Sequence, residues 1–323
     1  MAIDSTSGRE GDVIAFTERL LAGRGWRTTR IPVTPGRDDL LATAGDAPLV
    51  TLSTHLDTVP PFIPPRLDGN TIHGRGACDA KGIAAAMIVA AERLREHGLP
   101  VALLFVVGEE TTHDGAHAAN RVATTSRVLI NGEPTENRLA LGTKGALRMR
   151  LTTAGRAAHS AYPHLGESAT RKLVRLLATL DDVELPADPV LGATTVNIGR
   201  LAGGVADNVV APAAEARLMA RLVGPAEEVL RRFERWAGET ATVEAGETVP
   251  AVRLTPLPGF DTDVVAYATD VPNVTNWGVP YLLGPGTIHV AHTDEERVEV
   301  AELEQAVELY VRLAREALER SFA

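Results

Sequence analysis

The chain has 323 residues, of which 45% are hydrophobic and 23% are charged, and its formal net charge is -10. This charge argues against binding to nucleic acid or to an anionic membrane surface, because both require clustered lysine and arginine. The length suits two domains, no apolar run is long enough to cross a membrane, and a single cysteine excludes an internal disulfide framework. The polar N-terminal segment lacks the apolar core of a signal peptide, so we expect a cytoplasmic protein.

The first 140 residues alternate apolar runs of strand length with helical patterns. The run VALLFVV contains no polar residue, which is typical of a strand that is covered on both faces. This alternation predicts an α/β fold with a mainly parallel sheet and helices on both faces. The elements predicted here are, in chain order, a helix over 11–24, a strand over 48–53, a helix after residue 82, a strand over 101–107, a helix over 115–124 and a strand over 127–130.

The pattern changes at about residue 146. RMRLTTAGRAAHSA alternates as antiparallel strands do, ATRKLVRLLATL is helical, and AAEARLMARLV alternates again. After about residue 250 the α/β pattern returns, with the run PYLLGPG and a final helix. We therefore predict a discontinuous catalytic domain over 1–145 and 251–323, and an inserted α+β domain over 146–250 with two helices on an antiparallel sheet.

Acidic residues and histidines follow the predicted parallel strands. Any one of them could be an ordinary cap, turn or loop residue. In open parallel sheets, however, ligands bind beyond the carboxyl ends of the strands, so these side chains should converge. They are His55 and Asp57 after the first strand, Asp79 in the turn GRGACDAKG, Glu109 and Glu110 after VALLFVV, Glu133 after RVLI, and His292 after PYLLGPG.

Five carboxylates at one edge of a sheet repel one another unless cations compensate for them. Two histidines with several carboxylates and no cysteine ligand suit zinc or another divalent ion of the first transition row, in a catalytic site. Two ions bring four positive charges, which three carboxylates and a deprotonated water would balance. That balance leaves Glu109 free for proton transfer and favours two ions per chain.

Several motifs also resemble, in order, those of the dinuclear zinc hydrolases that include acetylornithine deacetylase, succinyl-diaminopimelate desuccinylase, aminoacylase and glutamate carboxypeptidase. The motifs are HLDTVP, GRGACDAKG, GEE, GEPT, HSAYP, GGVADNVVAP and GPGTIHVAHTDEE. The segment from NIGRLAGG to ARLMARL is most similar to the acetylornithine and acetylcitrulline deacetylases. The resemblance implies two zinc ions per chain, with cobalt or manganese as alternatives, and a homodimer formed through the inserted domain.

The resemblance also implies roles for the residues at the strand ends. Asp79 would bridge the two ions, and Asp57 would orient the ring of His55 by accepting its free N–H. Glu109 would be the general base and acid, taking a proton from the attacking water and passing it to the leaving amine. The implied ligands are His55, Asp79 and Glu133 for one ion, and Asp79, Glu110 and His292 for the other.

Residues of the inserted domain and of the GPG turn match positions that bind substrate in the family. His159 would stabilise the oxyanion in the active site of the partner chain. The inserted domain departs from the family pattern at Met219, where an aspartate that would orient Arg221 is expected. The implied contacts to substrate polar groups are Asn208, Arg221, Lys144, Gly286 and Thr287.

These observations predict a metal-dependent hydrolase that cleaves the amide bond of an N-acyl amino acid, with a deacetylase of the acetylornithine type favoured. A desuccinylase and a metallo-carboxypeptidase remain alternatives, because they differ in the shape of the pocket more than in catalytic residues. A metal-binding homodimer without catalysis is the alternative of another class. It would not require Glu109, whose presence beside a complete ligand set argues against it.

Overall fold

The computed structural model describes residues 1–322, which form two compact units. The first unit comprises 1–141, 254–263 and the described residues from 269 onward, and the second comprises 142–253 and 264–268. The chain therefore leaves the first unit twice: it builds most of the second over 142–253, returns, and adds the short segment 264–268 to the second unit before its last return.

The helices and strands are numbered here in chain order. The helices are α1 (Gly11–Gly23), α2 (Lys81–Glu96), α3 (Asp114–Ala119), α4 (Ala169–Leu177), α5 (Ala226–Ala237) and α6 (Val300–Arg320). The strands are β1 (Arg27–Thr34), β2 (Arg37–Ala44), β3 (Val50–His55), β4 (Arg66–Asp68), β5 (Thr71–His73), β6 (Val101–Val106), β7 (Val128–Asn131), β8 (Leu139–Thr143), β9 (Gly145–Ala154), β10 (Ala187–Asp188), β11 (Gly192–Ala193), β12 (Thr195–Gly203), β13 (Ala213–Leu222), β14 (Thr242–Val249), β15 (Val252–Arg253), β16 (Thr262–Val265), β17 (Val279–Leu282) and β18 (Arg297–Glu299).

The first unit is built on a six-stranded sheet with the order β1-β2-β6-β3-β7-β17. β3 pairs in parallel with both β6 and β7, and β17 pairs in parallel with β7. β1 and β2 form an antiparallel hairpin that adds to the edge of the sheet through β6. The predicted α/β class with a mainly parallel sheet is confirmed, while the antiparallel hairpin is an addition that the sequence pattern did not predict.

Alternate side chains of β6 enter two different cores, since successive residues of a strand point to opposite faces. Leu103 and Phe105 pack with buried residues of α1, α2 and α6. Leu104 and Val106 pack on the other face with the alanines of α3 and with Trp277. All four side chains are buried, and each contributes roughly 1.5–3 kcal/mol of transfer free energy. Helices on both faces explain why this strand contains no polar residue.

The second unit contains a four-stranded antiparallel sheet with the order β12-β13-β9-β14. Leu147, Met149 and Leu151 of β9 point to one face, where they pack with Leu173 of α4 and Phe233 of α5. The intervening residues of β9 are polar and point away from this core. The predicted arrangement of two helices on an antiparallel sheet is therefore present.

Two smaller observations complete the fold. The helix predicted over 115–124 ends at Ala119, because the threonine-rich segment that follows forms turns and bonds to neighbouring loops. No helix among residues 1–322 combines the length and apolar character needed to cross a bilayer.

Candidate metal centre and active site

The predicted site residues of the first unit follow three neighbouring strands. β3 is buried over its whole length and ends at His55, which pairs with Val106 at the end of β6. Glu109 and Glu110 follow β6, and Glu133 follows β7. Because β6, β3 and β7 are adjacent and parallel, their carboxyl ends bring these side chains to the same edge of the sheet.

Asp79 lies between the two predicted histidine ligands and turns one carboxylate oxygen toward each. Its Oδ1 is 2.9 Å from His55 Nε2, and its Oδ2 is 3.2 Å from His292 Nε2. His55 and Asp79 are buried, whereas the side chain of His292 is 47% exposed. A carboxylate that turns one oxygen toward each of two histidine ligands has the geometry of a ligand shared between two ions.

The two remaining predicted ligands lie nearby. Glu110 Oε1 is 3.0 Å from His292 Nε2, and one potential ligand atom from each of His55, Asp79 and Glu110 lies within 4.8 Å of the others. Glu133 is buried and near enough for the charges of His55, Asp79 and Glu110 to act on its pKa, but it is not part of that group. The structure thus brings all five predicted ligands to one region, with Asp79 at its centre.

The charges of the site fit divalent cations. Burial raises the pKa of Glu133 well above its usual range and also raises that of Glu110, and the charge of Asp79 acts in the same direction on both. Hydrogen bonds to Asp79 and Glu110 raise the pKa of His292 to about 10. Buried carboxylates thus require compensating positive charge. Two imidazoles with several carboxylates and no thiolate are a donor set typical of catalytic zinc sites.

Asp57 contacts the backbone of the segment that carries the glutamate pair. Its Oδ1 accepts a hydrogen bond from the N–H of Glu109 at 3.1 Å, and its Oδ2 accepts from the N–H of Glu110 at 3.2 Å and from Ser7 Oγ at 2.8 Å. The Nδ1 atom of His55 is 3.0 Å from the backbone oxygen of Asp57 and 3.4 Å from its carboxylate. Asp57 therefore orients His55 mainly through its carbonyl, while its carboxylate fixes the glutamates.

Glu109 is largely buried beside the ligands, with 11% of its side chain exposed. Burial and the negative charge of Glu133 raise the pKa of Glu109 well above its usual range. A buried carboxylate that binds a proton more readily than usual is suited to accept one from water and to release it to an amine.

A buried ion pair that the sequence analysis missed holds the turn that carries Asp79. Arg75 Nη1 is 2.6 Å from Glu296 Oε2, and both side chains are at most 1% exposed. The other oxygen of Glu296 accepts hydrogen bonds from the N–H groups of Gly76, Cys78 and Asp79, at 2.9, 3.3 and 3.3 Å. Glu296 lies four residues after His292, so it ties together the segments that carry two of the ligands.

The predicted substrate contacts of the second unit lie in different environments. His159 and Asn208 are exposed. Lys144 donates a hydrogen bond from Nζ to the backbone oxygen of Ala193 at 2.6 Å. Arg221 is partly buried on β13, and burial lowers its pKa. None of the ion pairs found within residues 1–322 involves Arg221.

The GPG turn packs closely against the segment of Asp79. Gly286 has a φ of +79°, and a Cβ atom at this position would lie 2.5 Å from the Cβ of Cys78. The backbone oxygen of Thr287 is 3.8 Å from Cys78 Sγ. Glycine is therefore required here by its backbone conformation and by contact with the residue before Asp79.

The fold, and the acidic residues and histidines at the carboxyl ends of its parallel strands, are those of a hydrolase that acts on amide bonds. The sequence matches Peptidase family M20/M25/M40 over residues 51–316, and the chain belongs to this family. A protein of Aspergillus fumigatus named "Probable carboxypeptidase" is 39% identical over an alignment 376 residues long. The alignment covers 99% of this chain and 86% of the relative.

Solved structures share the fold at low sequence identity. A tripeptidase from Staphylococcus aureus superimposes with a TM-score of 0.82 at 20% identity, covering 98% of this chain and 95% of the other. A Bacillus subtilis protein described as a dinuclear metal binding peptidase of the M20 family gives a TM-score of 0.74 at 16% identity, covering 98% and 95%. At these identities the likeness concerns the fold alone.

Proposed function

We propose that the protein binds two divalent ions, zinc in the first instance, and hydrolyses an amide whose leaving group is an amino acid. The observation that carries this proposal is Asp79, which presents one oxygen toward His55 and the other toward His292. His55, Asp79 and Glu133 would hold one ion, and Asp79, Glu110 and His292 the other. The ions would supply Lewis acidity for the amide carbonyl and the attacking water.

The chain itself supplies the proton transfer. Glu109 accepts a proton from the attacking water and delivers it to the nitrogen of the leaving group. Asp57 holds the backbone of Glu109 and Glu110, so that the base and the adjacent ligand keep a fixed separation. The partly buried Arg221 is suited to bind the free carboxylate of the leaving amino acid.

Two substrate classes satisfy this chemistry. The first is an N-acyl amino acid of the acetylornithine type, as the sequence motifs suggest. The second is a peptide cleaved at its C-terminal residue, which is favoured by the name of the Aspergillus fumigatus relative. Both reactions release an amino acid with a free carboxylate, so the two proposals share the metal centre and Glu109.

The test is an assay of N-acetyl-L-ornithine, N-succinyl-L,L-diaminopimelate and short peptides with free C-termini, each with zinc, cobalt or manganese added. We expect Glu109→Gln to retain both ions and to lower kcat by about 10²–10⁴-fold, since it removes the proton acceptor. Glu110→Gln should lose one ion. Near-normal turnover by Glu109→Gln would refute the proposed mechanism, and the preferred substrate would decide between the two classes.

We also propose a homodimer in which His159 completes the active site of the partner chain. The proposal is supported by the free edge of the second sheet, because β12 pairs with β13 alone among the strands of residues 1–322. Ile198 and Leu201 on this strand are 40% and 54% exposed, and Val174 on α4 is 54% exposed. An apolar edge strand needs protection, and two-fold pairing with an identical strand would provide it.

Mixing two inactive variants tests this arrangement. In a mixed dimer of His159→Ala and Glu109→Gln, one site has both residues intact and the other has both defects. With random exchange of subunits, about a quarter of all sites should regain activity, as two-fold geometry requires. If exchange is demonstrated and activity remains that of the separate variants, His159 does not act across the interface.

A further inference from the structure

A second cluster of titratable groups includes Glu109 itself. It consists of Glu109, His113 and Asp270, whose nearest nitrogen and oxygen atoms all lie within 4.8 Å of one another. His113 Nδ1 is 2.8 Å from Asp270 Oδ1 and 4.0 Å from Glu109 Oε1. Asp270 is 2% exposed and the side chain of His113 is 12% exposed. The segment TTHDGA, residues 111–116, contains His113 but gives no indication of this pairing, because Asp270 is 157 residues further along the chain.

The backbone of His113 indicates that its side chain is needed. Its φ is +52°, a left-handed conformation that is unfavourable for residues other than glycine. His113 precedes α3, and within residues 1–322 its side chain does not cap that helix. Its N–H bonds to the oxygen of Gly108, an interaction that glycine could make with less strain. A histidine at this position is therefore explained by what its ring contacts.

The ring contacts one buried carboxylate, that of Asp270, and lies near a second, that of Glu109. Asp270 and Glu109 are both largely excluded from solvent, and an oxygen of one lies within 4.8 Å of an oxygen of the other. Like charges at this distance repel strongly in the interior. Glu110, Glu133 and Asp39 add further negative charge around the pair. His113 donates toward Asp270 and fills the space beside the oxygen of Glu109. It thereby limits the directions in which the Glu109 carboxylate can turn.

We propose that His113, held by Asp270, is a positioning residue that keeps the carboxylate of Glu109 directed at the attacking water. The inference rests on the proposed role of Glu109 as general base. A base that is displaced by about 1 Å can lose on the order of 10²-fold in rate. Binding of the substrate should be little affected, because His113 and Asp270 are not assigned to the ligands or to the substrate contacts.

The first test is His113→Gly, which removes the ring and relieves the backbone strain. We expect kcat to fall by about 10–100-fold with KM within about twofold of the wild-type value and with both ions retained. Added imidazole should restore part of kcat by occupying the vacated space, while leaving the wild type and Glu109→Gln unchanged. A role confined to folding would give no such recovery.

Two further variants keep the test decisive if His113→Gly folds poorly. His113→Asn tolerates the left-handed backbone and can still donate to Asp270, so it should fold and show a smaller fall in kcat. As a single substitution, Asp270→Asn should lower kcat. Added to His113→Gly it should have no further effect on kcat, because Asp270 acts through the ring of His113.

Three outcomes would overturn the inference: kcat of both His113 variants within about twofold of wild type, a loss of activity that only follows a loss of metal, or additive effects of His113→Gly and Asp270→Asn. These failures are distinguishable from failure of the proposed function. If the mechanism itself is wrong, Glu109→Gln remains active. If only the positioning role is wrong, Glu109→Gln is inactive while the His113 variants are not.

Discussion

The substitution Glu296→Gln should show how strongly the metal centre depends on a buried ion pair. Glu296 faces Arg75 with one oxygen and three backbone N–H groups of the Asp79 turn with the other. A glutamine can accept on one side only, and it leaves the buried guanidinium of Arg75 without a counter-charge. Removing one partner of such a pair costs about 3–5 kcal/mol of unfolding free energy. The loosened turn should also weaken metal binding by about 10–100-fold.

Urea denaturation of the metal-free protein measures the first effect, and titration with zinc followed by calorimetry measures the second. Asp68→Asn is a matched control, because Asp68 pairs with Arg66 at the surface and should change neither quantity measurably. If Glu296→Gln lowers the unfolding free energy by less than about 1 kcal/mol and binds zinc as the wild type does, the pair does not hold the turn.

Three other experiments address the metal centre, the interior and the backbone. Chelation should abolish activity and a divalent ion should restore it, with two ions per chain found by elemental analysis of the active protein; full activity of metal-free protein would refute the metal proposal. Burial raises the pKa of Asp39 to about 8, so the folded state binds this proton more tightly than the unfolded state, and the resulting stability is lost as pH rises from about 4 to 8. Between pH 5 and 8, the unfolding free energy of Asp39→Asn should therefore rise relative to that of the wild type by up to about 1.4 kcal/mol per pH unit. Urea denaturation that gives the same difference between the two proteins at both pH values would contradict this. Gly115→Ala should lower the melting temperature because its Cβ would lie 2.2 Å from the oxygen of Val107. Gly224→Ala should have little effect, because among residues 1–322 a Cβ there would meet no atom within 4 Å apart from its own chain neighbours.

Periodicity and strand-end chemistry predicted the central part of the first unit. The helix after residue 82 and the run VALLFVV became α2 and β6, because a continuous apolar pattern leaves few alternatives. The β1–β2 hairpin was not predicted. Its first strand is largely exposed and contains charged residues, so it lacks the apolar alternation that marks a half-buried strand.

The site was predictable only in part, because its ligands and its supporting contacts give different signals. His55, Asp79 and Glu110 stand out only as a set, because acidic residues and histidines recur after several predicted strands and in one glycine-rich turn, whose ends should converge. Glu296 and Asp270 do not stand out, because each acts on a segment more than 150 residues away. Pairings across such distances are set by the folded chain and leave no local pattern.

The interrupted first unit has a consequence for synthesis on the ribosome. Residues up to 141 emerge first and carry four of the five proposed ligands, whereas His292, β17 and α6 emerge only after the second unit. Until then the face of α2 that α6 covers is exposed on the nascent chain, and the edge of β7 that pairs with β17 is free. The second unit, which lies almost entirely in the continuous stretch 142–253, can fold while the first is still incomplete. We therefore expect the nascent chain to need protection by chaperones late in translation, and to acquire metal only after its C-terminal segment has docked.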